Sequence, residues 1–397
     1  MKILQLCNKP PLPAVDGGCI AMNNITQGLL EASHDVRILS ICTHKHPFVE
    51  ANYDPNYIRK TKFEAVYVET KVNIVDAFSS LVTSDNYNIS RFFSTDFDRK
   101  LMDILKREKF DILHLESLFM APYISTIRRF SKAKIILRSH NLEFMIWQRS
   151  AESTGNRAKK VYLNYLAKQL KQYEIDVIAD VDGIAAISKS DTDKYASFGC
   201  EKPLKTIPFG IDVENYRPTN LSQINEDCIF HIGAMDWKPN VEGVMWFAEE
   251  VYPNLKDVNL HLAGRKMPKW FSDSLDKGIH NHGEVIDALT FMDQFPIMIV
   301  PLFSAGGMRV KIIEGMAMKK AVISTTVGAE GINVAHGENI MIADTKEEFV
   351  AAVEALSTDI ELRYRIQENG RKLVEQEYSN TVLTERLVQF YDEVLLR

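Results

Sequence analysis

No stretch of this chain comes near the ~20 consecutive apolar residues that a bilayer-crossing helix needs. The opening run, Met1 to Cys7, is too short for a secretion signal. The expectation is a cytoplasmic protein. Cysteine is sparse: Cys7, Cys19, Cys42, Cys200 and Cys228 are odd in number, scattered and without a CxxC pair, which argues against a disulfide framework or a structural zinc site. No other cluster has metal-ligand spacing, so no metal is expected. Internal repeats and low-complexity tracts are missing, and so is the dinucleotide fingerprint GxGxxG. Nucleic-acid binding is disfavoured, because the net charge is −6 and no recognition motif occurs.

What is there is an ordinary globular composition, 46% hydrophobic and 25% charged, on a chain of 397 residues that is too long for one core. Short β-branched runs alternate with longer helical patterns throughout, the signature of βαβ units and parallel sheets. In the first half Lys2–Cys7, Asp35–Cys42, Phe110–Leu115, Ala133–Arg138, Gly183–Ile187 and Lys205–Pro208 read as strands. The alternation restarts at Cys228–Gly233 and continues through Val258–Ala263, Ile279–Gly283, Ile297–Pro301, Ala321–Ser324 and Ile340–Ile342. The expected fold is α/β, with two doubly wound Rossmann-like domains facing a central cleft. The polar segment Asn215–Asp227 suits a linker, which predicts a first domain over 1–215, a second over 216–380, and a last helix over 381–397 packing back on the first.

Charge is uneven. Residues 1–220 hold 30 Lys and Arg against 26 Asp and Glu, whereas residues 221–397 hold 17 against 27. Part of the basic excess lies in the amphipathic segment Asn156–Lys171, which suits an anionic membrane surface or a polyanion. A solvated face on an ordinary core helix is the alternative, and both stay open.

The most informative stretch is Ser304-Ala-Gly-Gly-Met-Arg-Val-Lys-Ile-Ile-Glu314, which reads as strand, glycine turn, helix. A small-residue loop opening a helix presents unpaired N–H groups and partial positive charge, which suits a phosphate. Ser304, Gly306, Gly307 and Met308 form that loop, with Arg309 and Lys311 adding cations and Glu314 placed to accept paired hydroxyls such as those of a ribose. Lys238 sits at another strand-to-helix mouth. Gly283 and Val285 follow a further strand end.

In the first half the pair Gly17, Gly18 closes the loop after the first strand, where backbone amides can approach a ligand. Glu116 and His140 end two strands on one sheet edge, where doubly wound domains place their chemistry. His114, beside them, reads as structural. The triplet Asp180-Val-Asp182 lies in a turn and is rejected as a metal site.

Together these residues resemble the retaining glycosyltransferases of family 4, with the two-Rossmann architecture called GT-B. Pro208-Phe-Gly-Ile-Asp212 is similar to the family's P-N-G-[VI]-D, and Glu314-Gly-Met-Ala with Val322 to Gly331 resembles its glycine-rich donor region. The family commonly carries two glutamates eight positions apart. Glu314 fits the second, while the first is replaced by Gly306, as in a branch with Arg-x-Lys-x-x-Glu after a glycine loop. The usual arginine opening the second domain is also missing, Met235 standing near its place.

The resemblance implies metal-independent, cofactor-free transfer of a sugar from a UDP- or GDP-sugar to a hydroxyl with retention. Val285 would lie by the nucleobase, while Gly17, Gly18, Gly283, Ser304, Gly306, Gly307, Met308, Lys311 and Glu314 would hold the donor. Arg309 and Lys238 would neutralise the leaving diphosphate, and His140 and Glu116 would position acceptor or sugar. A glycan or lipid-linked acceptor at the inner membrane face is the further expectation. A GT-B phosphorylase, a nucleotide-sugar epimerase or a non-catalytic nucleotide-sugar-binding subunit are the alternatives.

Overall fold

A computed structural model describes residues 1–13, 17–70, 87–219, 227–268, 278–304 and 307–397. The chain forms two compact units: Met1–Pro208 with Leu383–Arg397, and Phe209–Val382. Among the described residues no helix is long and apolar enough to cross a membrane.

The first unit is built on seven parallel strands, β1 (Lys2–Cys7), β2 (Asp35–Cys42), β3 (Glu64–Tyr67), β4 (Ile112–Glu116), β5 (Lys134–Ser139), β6 (Gly183–Ala186) and β7 (Leu204–Thr206), in the order 3-2-1-4-5-6-7. Runs such as Ile3–Cys7 are buried on both faces, as parallel strands covered by helices must be. Alternate residues feed separate cores: Leu4, Leu6, Leu113 and Leu115 join one, Ile3, Cys7, Ile112 and Ile136 the other. Helix α1 (Gly17–Glu31) follows β1. Helices α2 (Glu143–Ser153) and α3 (Arg157–Asp180) follow β5 and pack along each other.

The second unit repeats the plan with β8 (Cys228–Ile232), β9 (Asn259–Ala263), β10 (Ile279–Gly283), β11 (Ile297–Val300), β12 (Ala321–Ser324) and β13 (Met341–Ile342), all parallel, in the order 10-9-8-11-12-13. Helix α4 (Lys238–Trp246) follows β8, and α5 (Val310–Ala317) follows β11. Each sheet reverses its strand order once, between β1 and β4 and between β8 and β11. These switch points are where doubly wound sheets leave a crevice at the carboxyl ends of their strands.

The last helix, α6 (Asn380–Leu395), brings Leu387, Phe390, Tyr391 and Val394 into the first unit's core beside Ile3, Ile112 and Ile136. Gly183 on β6 makes room for it, since a Cβ there would stand 2.9 Å from both the Phe390 ring and Val394 Cγ2.

The junction corrects the sequence reading. Residues 209–215, expected in the first domain, belong to the second unit, because Ile211 donates to Tyr378 O at 2.9 Å and accepts from Asn380 N at 2.9 Å, while Ile211 and Val213 enter that unit's core. Asn215–Thr219 is no free linker either. Arg371 binds the carbonyl of Tyr216, and Thr219 donates through both its amide and hydroxyl to Asp293. Residues 220–226, the rest of the expected linker, lie outside the described residues. Strand β3 is not among the strands read from the sequence.

Candidate active site

In the second unit the switch point gathers residues from four segments. Helix α5 opens at Arg309, which caps it with extended backbone and lays its guanidinium carbon 5.6 Å from the centre of the Trp237 ring. Gly307, just before, has φ +80°, a left-handed conformation that a side chain would strain. Met308 is buried in the core, whereas Ser304 is exposed. Gly306 lies outside the described residues.

Lys311, in the first turn of α5, donates to Asn240 Oδ1 at 2.9 Å, and Asn240 Nδ2 in turn donates to the carbonyl of Ala234 at 2.9 Å. Gly233, directly after β8, permits this packing, since a Cβ there would stand 2.6 Å from Lys311 Nζ. Burial lowers the Lys311 ammonium to about 7, helped by the positive charge of Arg309 and opposed by Glu314. It is therefore poised to become fully charged when an anion arrives.

One turn further along α5, Glu314 accepts the Tyr216 hydroxyl on Oε1 at 2.9 Å. Its Oε2 has no hydrogen-bond partner among the described residues. Burial raises this carboxyl, against the opposing pull of Tyr216 and Lys311. Val285 is half-buried against the unit's core, two residues beyond Gly283, with Ile286 beside it fully exposed. Lys238 opens α4 but is exposed and pairs with Glu242 at 3.0 Å. The structure thus brings Arg309, Lys311 and Glu314 onto one helix and turns Lys238 outward.

In the first unit the switch point holds Glu116, at the end of β4 opposite Cys7 of β1. Glu116 is fully buried. His140 Nε2 lies 2.7 Å from its Oε2, Gln5 Nε2 donates to its Oε1 at 2.8 Å, and His114 Nε2 faces Oε1 at 3.1 Å. Burial alone would raise this carboxyl, but His114 and His140 reverse that and hold it well below the usual range. Burial lowers His140, with Glu116 opposing. The pair is an ionised carboxylate orienting a neutral imidazole.

Three supports were not legible in the sequence. Thr26 of α1 donates to Gln5 Oε1 at 2.7 Å, fixing the amide that holds Glu116. The Tyr391 hydroxyl of α6 meets His114 Nδ1. Glu174 of α3 accepts the first two amides of α2, Glu143 N at 2.9 Å and Phe144 N at 3.3 Å, and so anchors the turn that carries His140. Gly17 begins α1 with open space where its Cβ would stand, and Gly18 follows it half-buried.

The rejected Asp180-Val-Asp182 triplet is in structural use: Asp182 Oδ2 accepts from Ile135 N at 2.7 Å and from Arg128 at 2.9 Å. Among the described residues no group of three His, Cys, Asp or Glu side chains could hold a metal ion.

Two parallel-sheet Rossmann-like units with ligand-competent switch points are the makings of a GT-B glycosyltransferase. The profile of glycosyltransferase family 4 matches residues 15–215, and that of glycosyl transferases group 1 matches residues 226–359. The chain belongs to glycosyltransferase family 4. A Klebsiella pneumoniae protein described as an uncharacterized 44.6 kDa protein in the cps region is 23% identical over 393 residues, spanning 96% of this chain and 97% of its own. The capsular polysaccharide biosynthesis glycosyltransferase CapM of Staphylococcus aureus is 32% identical over 114 residues, 28% of this chain and 30% of its own. Among solved structures, HepE of Anabaena in complex with UDP superposes with a TM-score of 0.69 at 13% identity, covering 99% of this chain and all of that one.

Proposed function

We propose that this glycosyltransferase moves a sugar from a UDP-sugar to a hydroxyl of a growing cell-surface polysaccharide, without a metal and with the anomeric configuration retained. The observation that carries the reading is the succession along α5: an amide-bearing mouth, Arg309 and Lys311, then Glu314 one turn on with one carboxylate oxygen uncommitted. A nucleoside diphosphate matches that order, its phosphates on the cations and its ribose hydroxyls on the carboxylate. HepE, with UDP bound, supports uracil as the base, and CapM supports capsule-type polysaccharide as the product.

The chemical task is to stabilise the leaving diphosphate as the glycosidic bond stretches. Preorganised cations and helix-end amides do this where charge develops. Lys311 gains its full charge on contact with the diphosphate. Arg309 is held in place by the Trp237 ring. Gly283 and Val285 would flank the base, and Gly17 and Gly18 would admit the sugar end of the donor. His140, fixed by ionised Glu116, would position the sugar or the acceptor hydroxyl. With a donor phosphate oxygen taking the acceptor proton on the same face, configuration is retained. The acceptor would be lipid-linked and reached from an anionic membrane surface.

The decisive experiment incubates the protein with UDP- and GDP-sugars in the presence of EDTA. Donor binding or slow hydrolysis of a UDP-sugar, unaffected by EDTA and weakened about 100-fold in Glu314→Ala, is the expected result. Absence of any nucleotide-sugar binding, or strict dependence on added Mn²⁺ or Mg²⁺, would refute the reading.

A further inference from the structure

The α2–α3 hairpin carries a charge arrangement that helix physics alone disfavours. Its connection is only Thr154–Asn156, and α3 then places Arg157, Lys159 and Lys160 in its first turn with no acidic residue among them. Helix N-termini carry partial positive charge and favour carboxylates, so three cations there work against the macrodipole. Asn156 caps this end by accepting from Lys159 N at 3.1 Å. From Arg157 to Lys171 the segment holds five cations, Arg157, Lys159, Lys160, Lys168 and Lys171, and no acid, in a chain whose net charge is −6. A local rule broken at this density calls for a functional reason.

Apolar exposure coincides with the charge. Residues 157–162 are all exposed, and Val161 shows 71% of its surface, Tyr162 40% and Tyr165 41%. Arg157, Val161, Tyr165 and Lys168 recur at spacings of four, four and three, so they share one face. Leu163, Leu166, Ala167 and Leu170 line the opposite side and are buried. Ile146 of the neighbouring α2 is exposed as well. An apolar and aromatic stripe bordered by lysines and arginines is the pattern of an element that rests in a lipid headgroup layer.

We infer that the outer end of the α2–α3 hairpin docks on an anionic lipid surface, with Val161 and Tyr165 in the headgroup layer and Arg157, Lys160 and Lys168 on the phosphates. The inference rests on the membrane-side acceptor proposed above and names the surface that reaches it. The position is apt, since α2 begins three residues after His140 and the hairpin is anchored to that turn by Glu174. Docking would hold the first unit's switch point at the membrane where a lipid-linked acceptor resides.

The test is co-sedimentation of the full chain with vesicles of phosphatidylcholine alone or containing 30% phosphatidylglycerol. Binding to the anionic vesicles only, released by 0.5 M NaCl, is expected. Each cation near such a surface is worth roughly fivefold in partitioning, so Arg157→Gln/Lys160→Gln/Lys168→Gln should weaken binding by about 100-fold. Val161→Ser/Tyr165→Ser should abolish it at unchanged net charge. UDP binding by calorimetry, measured on the same variants, should stay at the wild-type value. That readout separates failure of docking from failure of the transferase reading. Equal binding to both vesicle types, retention of binding in the triple variant, binding of a soluble polyanion without vesicle binding, or concentration-dependent dimerisation lost in Val161→Ser/Tyr165→Ser would each overturn the inference.

Discussion

Tyr216 and Glu314, 98 positions apart in sequence, meet through a hydrogen bond of 2.9 Å from the phenol to Oε1. The tyrosine is itself fixed at its backbone by Arg371, which donates to its carbonyl and to that of Ala317. Glu314 is therefore held with one oxygen occupied and the other presented. Glu314→Ala should weaken UDP binding by about 100-fold, the loss of two charge-assisted hydrogen bonds at ~1.5 kcal/mol each. Tyr216→Phe should weaken it by about tenfold while the fold persists. Calorimetric titration of UDP into both variants checks this, and an unaltered Kd in Glu314→Ala would remove the ribose assignment.

Lys311 gives a pH dependence with a definite sign. Its conjugate acid has been lowered to about 7, so below that pH the free site is charged and above it the free site is neutral. A diphosphate favours the charged form. The Lys311 contribution to UDP affinity should thus be full below pH 7 and fall by up to about tenfold per unit above it, until the raised value in the complex is passed. Lys311→Met should bind weakly and lose that slope between pH 7 and 9. A wild-type affinity that is flat across this range would contradict the assignment.

Glu116 makes a stability prediction. Its folded-state value is held well below that of an unfolded glutamate, ~4.3. Its contribution is present above that unfolded value and is lost as the pH falls through the folded one. Glu116→Gln should therefore cost ~3 kcal/mol at pH 7, as breaking a buried ionic network does, and the gap should narrow below pH 4. Urea unfolding at the two pH values measures it. His140→Ala should cost ~2 kcal/mol at pH 7, because it takes a partner from the buried Glu116 carboxylate, and should also lower kcat by at least about 100-fold, with KM for the donor little altered.

Gly233 offers a test of geometry without touching any charge. In Gly233→Ala the new methyl competes with Lys311 Nζ and with Asn240 Nδ2, 2.7 Å away, both ends of side chains that can yield. The variant should fold and bind UDP about tenfold more weakly. Gly264→Ala differs, because its Cβ would stand 1.8 Å from the Gly233 carbonyl oxygen, a backbone atom. Thermal unfolding should show a large loss there and only a small one for Gly233→Ala.

Much of the fold was legible because parallel strands buried on both faces leave unbroken apolar runs, as at Ile297–Val300 and Ala321–Ser324. Strand β3, Glu64–Tyr67, was not, since an edge strand of four residues, none of them fully buried, has no such run. Glu116, His140, Lys311 and Glu314 could be picked out because strand ends and helix mouths are local in sequence. Their supports could not. Tyr216, Glu174 and Tyr391 reach their partners only through tertiary packing, and nothing in their neighbours' identities announces it. The domain boundary was misplaced for a similar reason. The polar composition of residues 215–219 suggests solvent, but their polar groups are consumed by Arg371 and Asp293.

The return of α6 to the first unit also sets an order of assembly. A ribosome that has released residues 209–382 has delivered everything the second sheet requires, whereas the first still waits for Phe390 to fill the space beside Gly183 and for Tyr391 to reach His114. The half of the molecule that is synthesised first is thus completed last. During translation its exposed flank is a hazard that nascent-chain binding factors would have to shield.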